Sequence, residues 1–326
     1  MMIPAKILLF VIFLLLAAAS ILFSLFKGST LISFGQLFHA AYHSNDRITE
    51  KIILDIRLPR TLAAFITGGS LSLAGAMMQV LLRNPLADPY ILGISGGGAF
   101  LCLLCMLCGF TGYWLTFGTW IGSLLAVFIV FFLAHRKNAQ PHNSLLLTGI
   151  AIGSGFSAFI SFILMMSPET ELHSMLFWLL GDLSYTHLPF IESGILCIGL
   201  IMSILWGKQF NILMRGELSA KALGISTERL KIKIYFLSAL LTASAVSLAG
   251  CIGFVGLIVP HLFRLLFGSD HRILLPGTVL LGGSLLTIAD TLARTAFAPE
   301  QLPVGIIMVF IGVPIFLILL QRSCRY

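Results

Sequence analysis

Residues 247–272 read SLAGCIGFVGLIVPHLFRLLFGSDHR, and the reading of this stretch decides the fold. It is apolar enough to lie at membrane depth, yet Gly250, Gly253, Gly256 and Pro260 interrupt it. A lipid-facing span is rarely written that way, because Gly and Pro in a membrane helix need neighbouring protein to re-satisfy the backbone groups they free. Pro260 removes one N–H and disfavours helical geometry at Val259. The stretch therefore reads as a helix ending near Gly250, a tightly packed Gly-rich turn, and a second helix through His261 to Gly268.

The rest of the chain has the same character. Of 326 residues, 58% are hydrophobic and 10% charged, with a mean hydropathy of +1.02. Soluble domains carry roughly 25% charged residues, so a soluble protein is excluded. At about 20 apolar residues per span, the length allows roughly ten spans and no second soluble domain. Residues 1–326 read as a single polytopic membrane domain. The net charge of +7 does not imply a nucleic-acid partner, since polytopic proteins carry Lys and Arg for topology. The partner it implies is the lipid membrane. Cys102, Cys105 and Cys108 resemble part of an iron–sulfur run, but the fourth Cys and its Pro are missing. They read as small, buried, unligated residues.

Taken in order, the spans fall near 7–26, 61–82, 91–108, 114–134, 144–166, 191–206, 234–250, the Pro260 helix, 273–293 and 304–320. Ala17–Ala19 would suit signal-peptide cleavage, but the first run is long enough to span and reads as an uncleaved helix. Leu172–Leu180 is too short to cross. Ten spans put both termini on one side. With that side cytoplasmic, six of the 20 basic residues lie outside: Lys27, Arg47, Lys51, Arg57, Arg60 and Arg294. The inner excess satisfies the positive-inside rule. Ser72–Gly75 (SLAG) recurs as Ser247–Gly250, each with a proline ten residues after its Gly, which raises a possible inverted repeat of the kind transporters use.

No catalytic grouping stands out, and no phosphate-cradling G-x-x-x-x-G-K-[ST] is present. His39 and His43 have helical spacing but no third ligand, so no metal site is assigned. Asp290 is an ionisable residue at membrane depth with Arg294 four residues on, and reads as a structural ion pair. Residues 216–224, GELSAKALG, read as a short helix that Gly224 ends. Thr227 is placed to cap a second helix, with Glu228 near its start.

Several motifs in order resemble the iron-chelate and cobalamin permease family, the membrane subunits of type II ATP-driven importers. They are Arg57-Leu58-Pro59-Arg60, Ala74-Gly75 through Gln79 to RNPLADP, Leu92–Ser95, Trp178 with Gly181, GELSAKALG, GFVGLIVPHLFR with GSDHR, Ala289-Asp290 with Arg294, and Leu302–Gly305 with Gly312–Pro314. The resemblance implies an all-α membrane protein of about ten helices per subunit with the type II ABC importer permease fold. It implies a homodimer, two ATP-binding-cassette ATPase subunits inside and a soluble substrate-binding protein outside. ATP and magnesium would sit on the ATPase, with no cofactor in this chain, which would be a transporter subunit and not an enzyme. The cargo would be a metal chelate (iron–siderophore, cobalamin or haem) moved across the bacterial inner membrane by alternating access. Ser219, Ala220, Lys221, Ala222, Leu223 and Gly224 would meet the ATPase. Arg57, Arg60 and Arg294 would dock acidic residues of the binding protein. His142, Asn143 and Ser144 fall where the family places a cytoplasmic gate. Met214-Arg215 before Gly216 departs from the usual pattern and bears on the fit to a particular ATPase. The rival class is a proton- or sodium-coupled secondary transporter, in which Asp290 would carry the coupling.

Overall fold

The computed structural model describes residues 3–28, 50–135, 141–184 and 187–323. His39 and His43 lie outside the described residues. Every regular element among them is helical. The chain runs through α1 (Ile3–Phe26), a π-helical turn (Ile52–Arg57) leading into α2 (Leu58–Leu81), a 3-10 turn (Pro89–Leu92), α3 (Ile94–Leu107), α4 (Tyr113–His135) and α5 (Pro141–Met166). It continues through α6 (Glu169–Leu179), α7 (Phe190–Leu213), α8 (Glu217–Ala222), α9 (Thr227–Ala249), α10 (Val255–Phe267), α11 (His271–Thr295) and α12 (Val304–Ser323). Eight of these segments are long and apolar enough to cross a membrane, and α3 and α10 are shorter apolar helices. At 1.5 Å per residue the 14 residues of α3 rise only about 21 Å. The 3-10 turn before α3 and the irregular 250–254 turn before α10 carry those two crossings the rest of the way. Non-helical backbone at this depth is tolerated because it is packed in protein.

Helix α2 is the centre of the bundle and is buried along nearly its whole length. Lipid is as apolar as Leu, so helices at this depth associate through close packing and hydrogen bonds rather than by hiding greasy surface from water. The sequence TGGSLSLAG supplies that closeness. A Cβ at Gly68 would run into the Gly282 carbonyl of α11, and one at Gly75 into the Gly256 carbonyl of α10. Arg60 meets Asp290 at one end of the α2–α11 contact and Gly68 meets Gly282 further along, so the two helices are antiparallel. Gly75 and Gln79 meet Gly256 and Arg264 in the same order, so α2 and α10 are parallel.

Pro260 lies inside α10, and Val259 is helical, contrary to the expectation that the residue before a proline leaves the helix. The missing Pro260 N–H frees the Gly256 carbonyl four residues back. That carbonyl is the one pressed against Gly75. The next carbonyl, on Leu257, accepts from the Gln79 amide at 3.2 Å. Helix α2 thus lies directly against the freed carbonyl and hydrogen-bonds the one after it.

Several features differ from the sequence reading. Helix α7 runs on to Leu213, because Phe210 and Leu213 are apolar and fully buried, so the basic stretch from Lys208 begins inside a helix. Thr227 is the first residue of α9 rather than its cap, and its hydroxyl makes no capping bond. The two SLAG segments serve different purposes: Gly75 lies inside α2, whereas Gly250 ends α9 at φ +68°. Cys102 is buried and Cys105 half-buried, but Cys108 is exposed just past α3.

Gly75→Ala should lower the thermal midpoint of the detergent-solubilised chain, since overpacking typically costs about 1–3 kcal/mol. Gly155→Ala on α5, where nothing lies within 4 Å, should leave it unchanged or slightly raised. Equal midpoints for the two variants would refute the close α2–α10 contact.

Candidate functional site

Two polar clusters occupy opposite ends of α2. At the Leu58 end, the Arg60 guanidinium donates to both Asp290 oxygens, with Nη2 to Oδ1 at 2.8 Å and Nε to Oδ2 at 3.1 Å. Its Nη1 donates to Gln301 Oε1 at 2.7 Å. Arg294 Nε lies 3.7 Å from Asp290 Oδ2, an ion-pair distance, while Nη2 donates to the Ser24 carbonyl. Arg57 Nη1 donates to the Leu25 and Phe26 carbonyls at 2.8 and 3.2 Å. The last carbonyls of a helix have no partner inside it and carry its negative dipole end. Arg57 and Arg294 therefore cap α1 with cations and fasten it to α2 and α11. Phe13 of α1 adds ring contacts with Phe263 and Phe267 of α10.

The three arginines expected at a docking surface are buried rather than solvated. Arg57, Arg60 and Arg294 are 4%, 7% and 6% exposed and have partners within the chain. The local sequence supplied Arg294 as the partner of Asp290 through the i,i+4 spacing. It gave no sign that Arg60, 230 residues away, would hold the carboxylate more closely.

At the other end, α8 protrudes between α7 and α9. Leu218 is 85% exposed and Leu223 68%, with Ser219, Lys221, Ala222 and Gly224 exposed beside them. Ala220 is fully buried and seats the turn on the bundle, so it differs from its five neighbours in the expected contact set. Leu218, more exposed than Leu223, lies outside that set, although its large apolar side chain at the second position of a six-residue helix is the available clue. Gly224 ends the turn at φ +79°, a conformation that favours glycine. Nearby, Asn211 and Asp270 tie the end of α7 to the start of α11: the Asn211 amide donates to Asp270 Oδ1 at 2.8 Å. Burial pushes the Asp270 carboxyl up, but hydrogen bonds from Arg272 and Asn211 outweigh it and hold the group at about 2. That tie is complete above pH ~4 and is lost as the pH falls toward the depressed value.

Between the two ends, motifs far apart in sequence converge on the 250–254 turn. Tyr90 Oη accepts from the Ile252 N–H at 3.1 Å, the Asp182 N–H donates to the Ala249 carbonyl, and the Val304 N–H donates to the Gly181 carbonyl. The RNPLADP loop, the Trp178–Gly181 segment and the Leu302–Gly305 segment are thus one assembly. His142, Asn143 and Ser144 lie in the first turn of α5, where Ser144 Oγ donates to the Ala134 carbonyl at 3.2 Å. The side chains of His142 and Asn143 lie outside the described residues.

Comparison with known proteins places this arrangement. The FecCD transport family matches residues 14–322. The hemin transport system permease protein HmuU of Yersinia pestis is 38% identical, covering 91% of this chain and 90% of that protein. The cobalamin import system permease protein BtuC of Halobacterium salinarum is 39% identical over 83% of this chain and 73% of its own. A solved inward-facing structure of a metal-chelate type ABC transporter superposes with a TM-score of 0.86 at 31% identity, over 96% of this chain and 98% of that one. The fold is that of a type II ABC importer permease.

Asp290→Ala leaves two guanidiniums buried without a counter-charge, a change that typically costs about 3–5 kcal/mol. Adding Arg60→Met should recover part of that loss, because one uncompensated cation is removed with it. Thermal unfolding in detergent measures both, and no recovery in the double variant would refute the pairing.

Proposed function

The chain belongs to the FecCD transport family, and we propose that it is the permease subunit of an ATP-driven importer for a metal chelate of the haem or cobalamin class. It works as a homodimer in a bacterial inner membrane, with two ATPase subunits and a soluble substrate-binding protein. The α8 end faces the cytoplasm, as do both termini. The observation that carries the reading is the α8 turn. Two leucines stand in the open beside Lys221 at a rigidly seated corner between two spans. Apolar side chains presented this way suit a protein partner, and the one an ABC permease requires is its ATPase.

Two further features support the reading. Helix α5 is exposed along most of its length and carries Ser154, Ser157 and Ser161 on its open face. A serine-bearing face suits a second subunit or a water-lined pathway better than lipid. At the opposite end, two guanidiniums share the Asp290 carboxylate, which leaves that pair cationic and ready for an acidic binding-protein residue. Given their burial, Arg57, Arg60 and Arg294 take such a residue by exchanging an internal acceptor for it. The secondary-transporter reading needs Asp290 free to bind an ion, and Arg60 and Arg294 already hold it.

The test is reconstitution of this chain with its ATPase and binding protein in liposomes, with hemin and cyanocobalamin as cargo probes. Uptake should require ATP and survive collapse of proton and sodium gradients. Leu218→Asp and Leu223→Asp should insert and fold as wild type, since both side chains are exposed, yet lose ATPase association by about tenfold or more, the scale of an interface hot spot. Uptake that follows an ion gradient without the ATPase would overturn the proposal.

A further inference from the structure

Glu217 opens α8, but its side chain turns back into the bundle and away from the exposed leucines. Its Oε1 accepts from Lys231 Nζ of α9 at 2.5 Å. The same oxygen lies 3.4 Å from Arg83 Nη2, in the loop that leaves α2. The Glu217 and Lys231 side chains are 27% and 14% exposed, so much of this contact is shielded from water. Shielding matters, since a fully solvated pair contributes little. Arg83 holds φ +48°, a backbone conformation uncommon outside glycine, at the start of the loop that carries Asp88 and Tyr90. Tyr90 in turn reaches the Ile252 N–H in the 250–254 turn. One carboxylate therefore joins the protruding turn, the helix after it, and the loop that connects the central helix to the middle of the bundle.

We propose that Glu217 is a positioning residue that transmits displacement of the α8 turn to α2 and its following loop, rather than a contact for the partner that moves the turn. The inference rests on the reading of α8 as the ATPase-facing element. Ala220 seats α8 on its neighbours, but its side chain carries no polar group to fix the direction of that contact. The charged tie resists sliding in two directions at once, through Lys231 along α9 and through Arg83 to α2. Glu217→Gln keeps the shape and one acceptor oxygen but removes the charge that both cations share.

The experiment uses the full complex in liposomes, with hemin or cyanocobalamin as cargo, and separates assembly from coupling. Glu217→Gln should co-purify with the ATPase as wild type does and keep basal hydrolysis. Stimulation by the loaded binding protein, and uptake per ATP, should fall by about tenfold, the scale of a typical coupling between sites. Arg83→Gln, at an exposed position, should move the same two readouts in the same direction. The double variant Glu217→Gln with Arg83→Gln should lose little more than either single variant, the non-additivity expected of a direct pair. Wild-type coupling in both Glu217→Gln and Arg83→Gln overturns the inference. Loss of ATPase association in Glu217→Gln also overturns it, because Glu217 then belongs to the contact surface. Failure of the wild-type chain to bind any ATPase is a separate result, and it refutes the functional reading beneath.

Discussion

The structure depends on how closely backbone can approach backbone around α2. At membrane depth there is no water to expel between helices, so the association energy comes from contact and from the hydrogen bonds that contact permits. Gly68 against Gly282 and Gly75 against Gly256 bring α11 and α10 onto α2 at distances no Cβ would allow. The second contact lies where proline interrupts the hydrogen-bond ladder of α10. Pro260 frees the Gly256 carbonyl, and the protein sets that carbonyl against a glycine and gives the next one the Gln79 amide. Gln79 in turn accepts from Arg264 at 2.8 Å, so a half-buried cation on α10 is held by the same side chain. Sequence features that read as interruptions are the means by which the central helix collects its neighbours.

The charged residues are arranged around that core by the cost of burying them. A guanidinium taken out of water needs acceptors on every side, and the cluster at the Leu58 end supplies them from three parts of the chain. Asp290 comes from α11, Gln301 from the segment before α12, and carbonyls from the last turn of α1. Helix α1 has few buried residues and packs mainly through one face. Its C-terminal carbonyls, capped by Arg57 and Arg294, give it a specific register against α2 and α11 that apolar packing alone would leave loose. The same arginines that suit an acidic partner therefore have structural duties in the isolated chain. Any docking through them exchanges one acceptor for another.

Much of this was legible in the sequence because it is written in local patterns. Hydrophobic runs fixed the order of the spans, Gly and Pro marked the broken helix at 250–260, and GELSAKALG marked the protruding turn. What was not legible was pairing across distance. Arg60 with Asp290, Glu217 with Arg83, and Tyr90 with Ile252 join residues with no shared periodicity. Burial of the arginines was equally hidden, since a cation beside a span reads the same whether it faces solvent or caps a helix. The extension of α7 was missed for a related reason. Lys208 suggested a loop, but the apolar Phe210 and Leu213 kept the helix going, and the tie of Asn211 to Asp270 secures its end.

These features bear on how a signal at one end of the molecule reaches the other. Close-packed interfaces of small residues do not deform by degrees, because each contact is either made or broken. A helix bounded by such interfaces moves as a body or not at all. Helix α2 has them along its middle, a cationic cluster anchored to α1 and α11 at its start, and Arg83 tied to α8 just past its end. A displacement delivered at Arg83 is therefore not absorbed within α2. It reappears at Arg60, where Asp290 and Gln301 must follow or be exchanged. It also reappears at the 250–254 turn through Tyr90, where the backbone is already irregular and where the adjoining Ala249 carbonyl accepts from Asp182. The rigid glycine contacts make α2 the transmitter, and the irregular turn is the place where the transmitted motion can change the shape of the bundle.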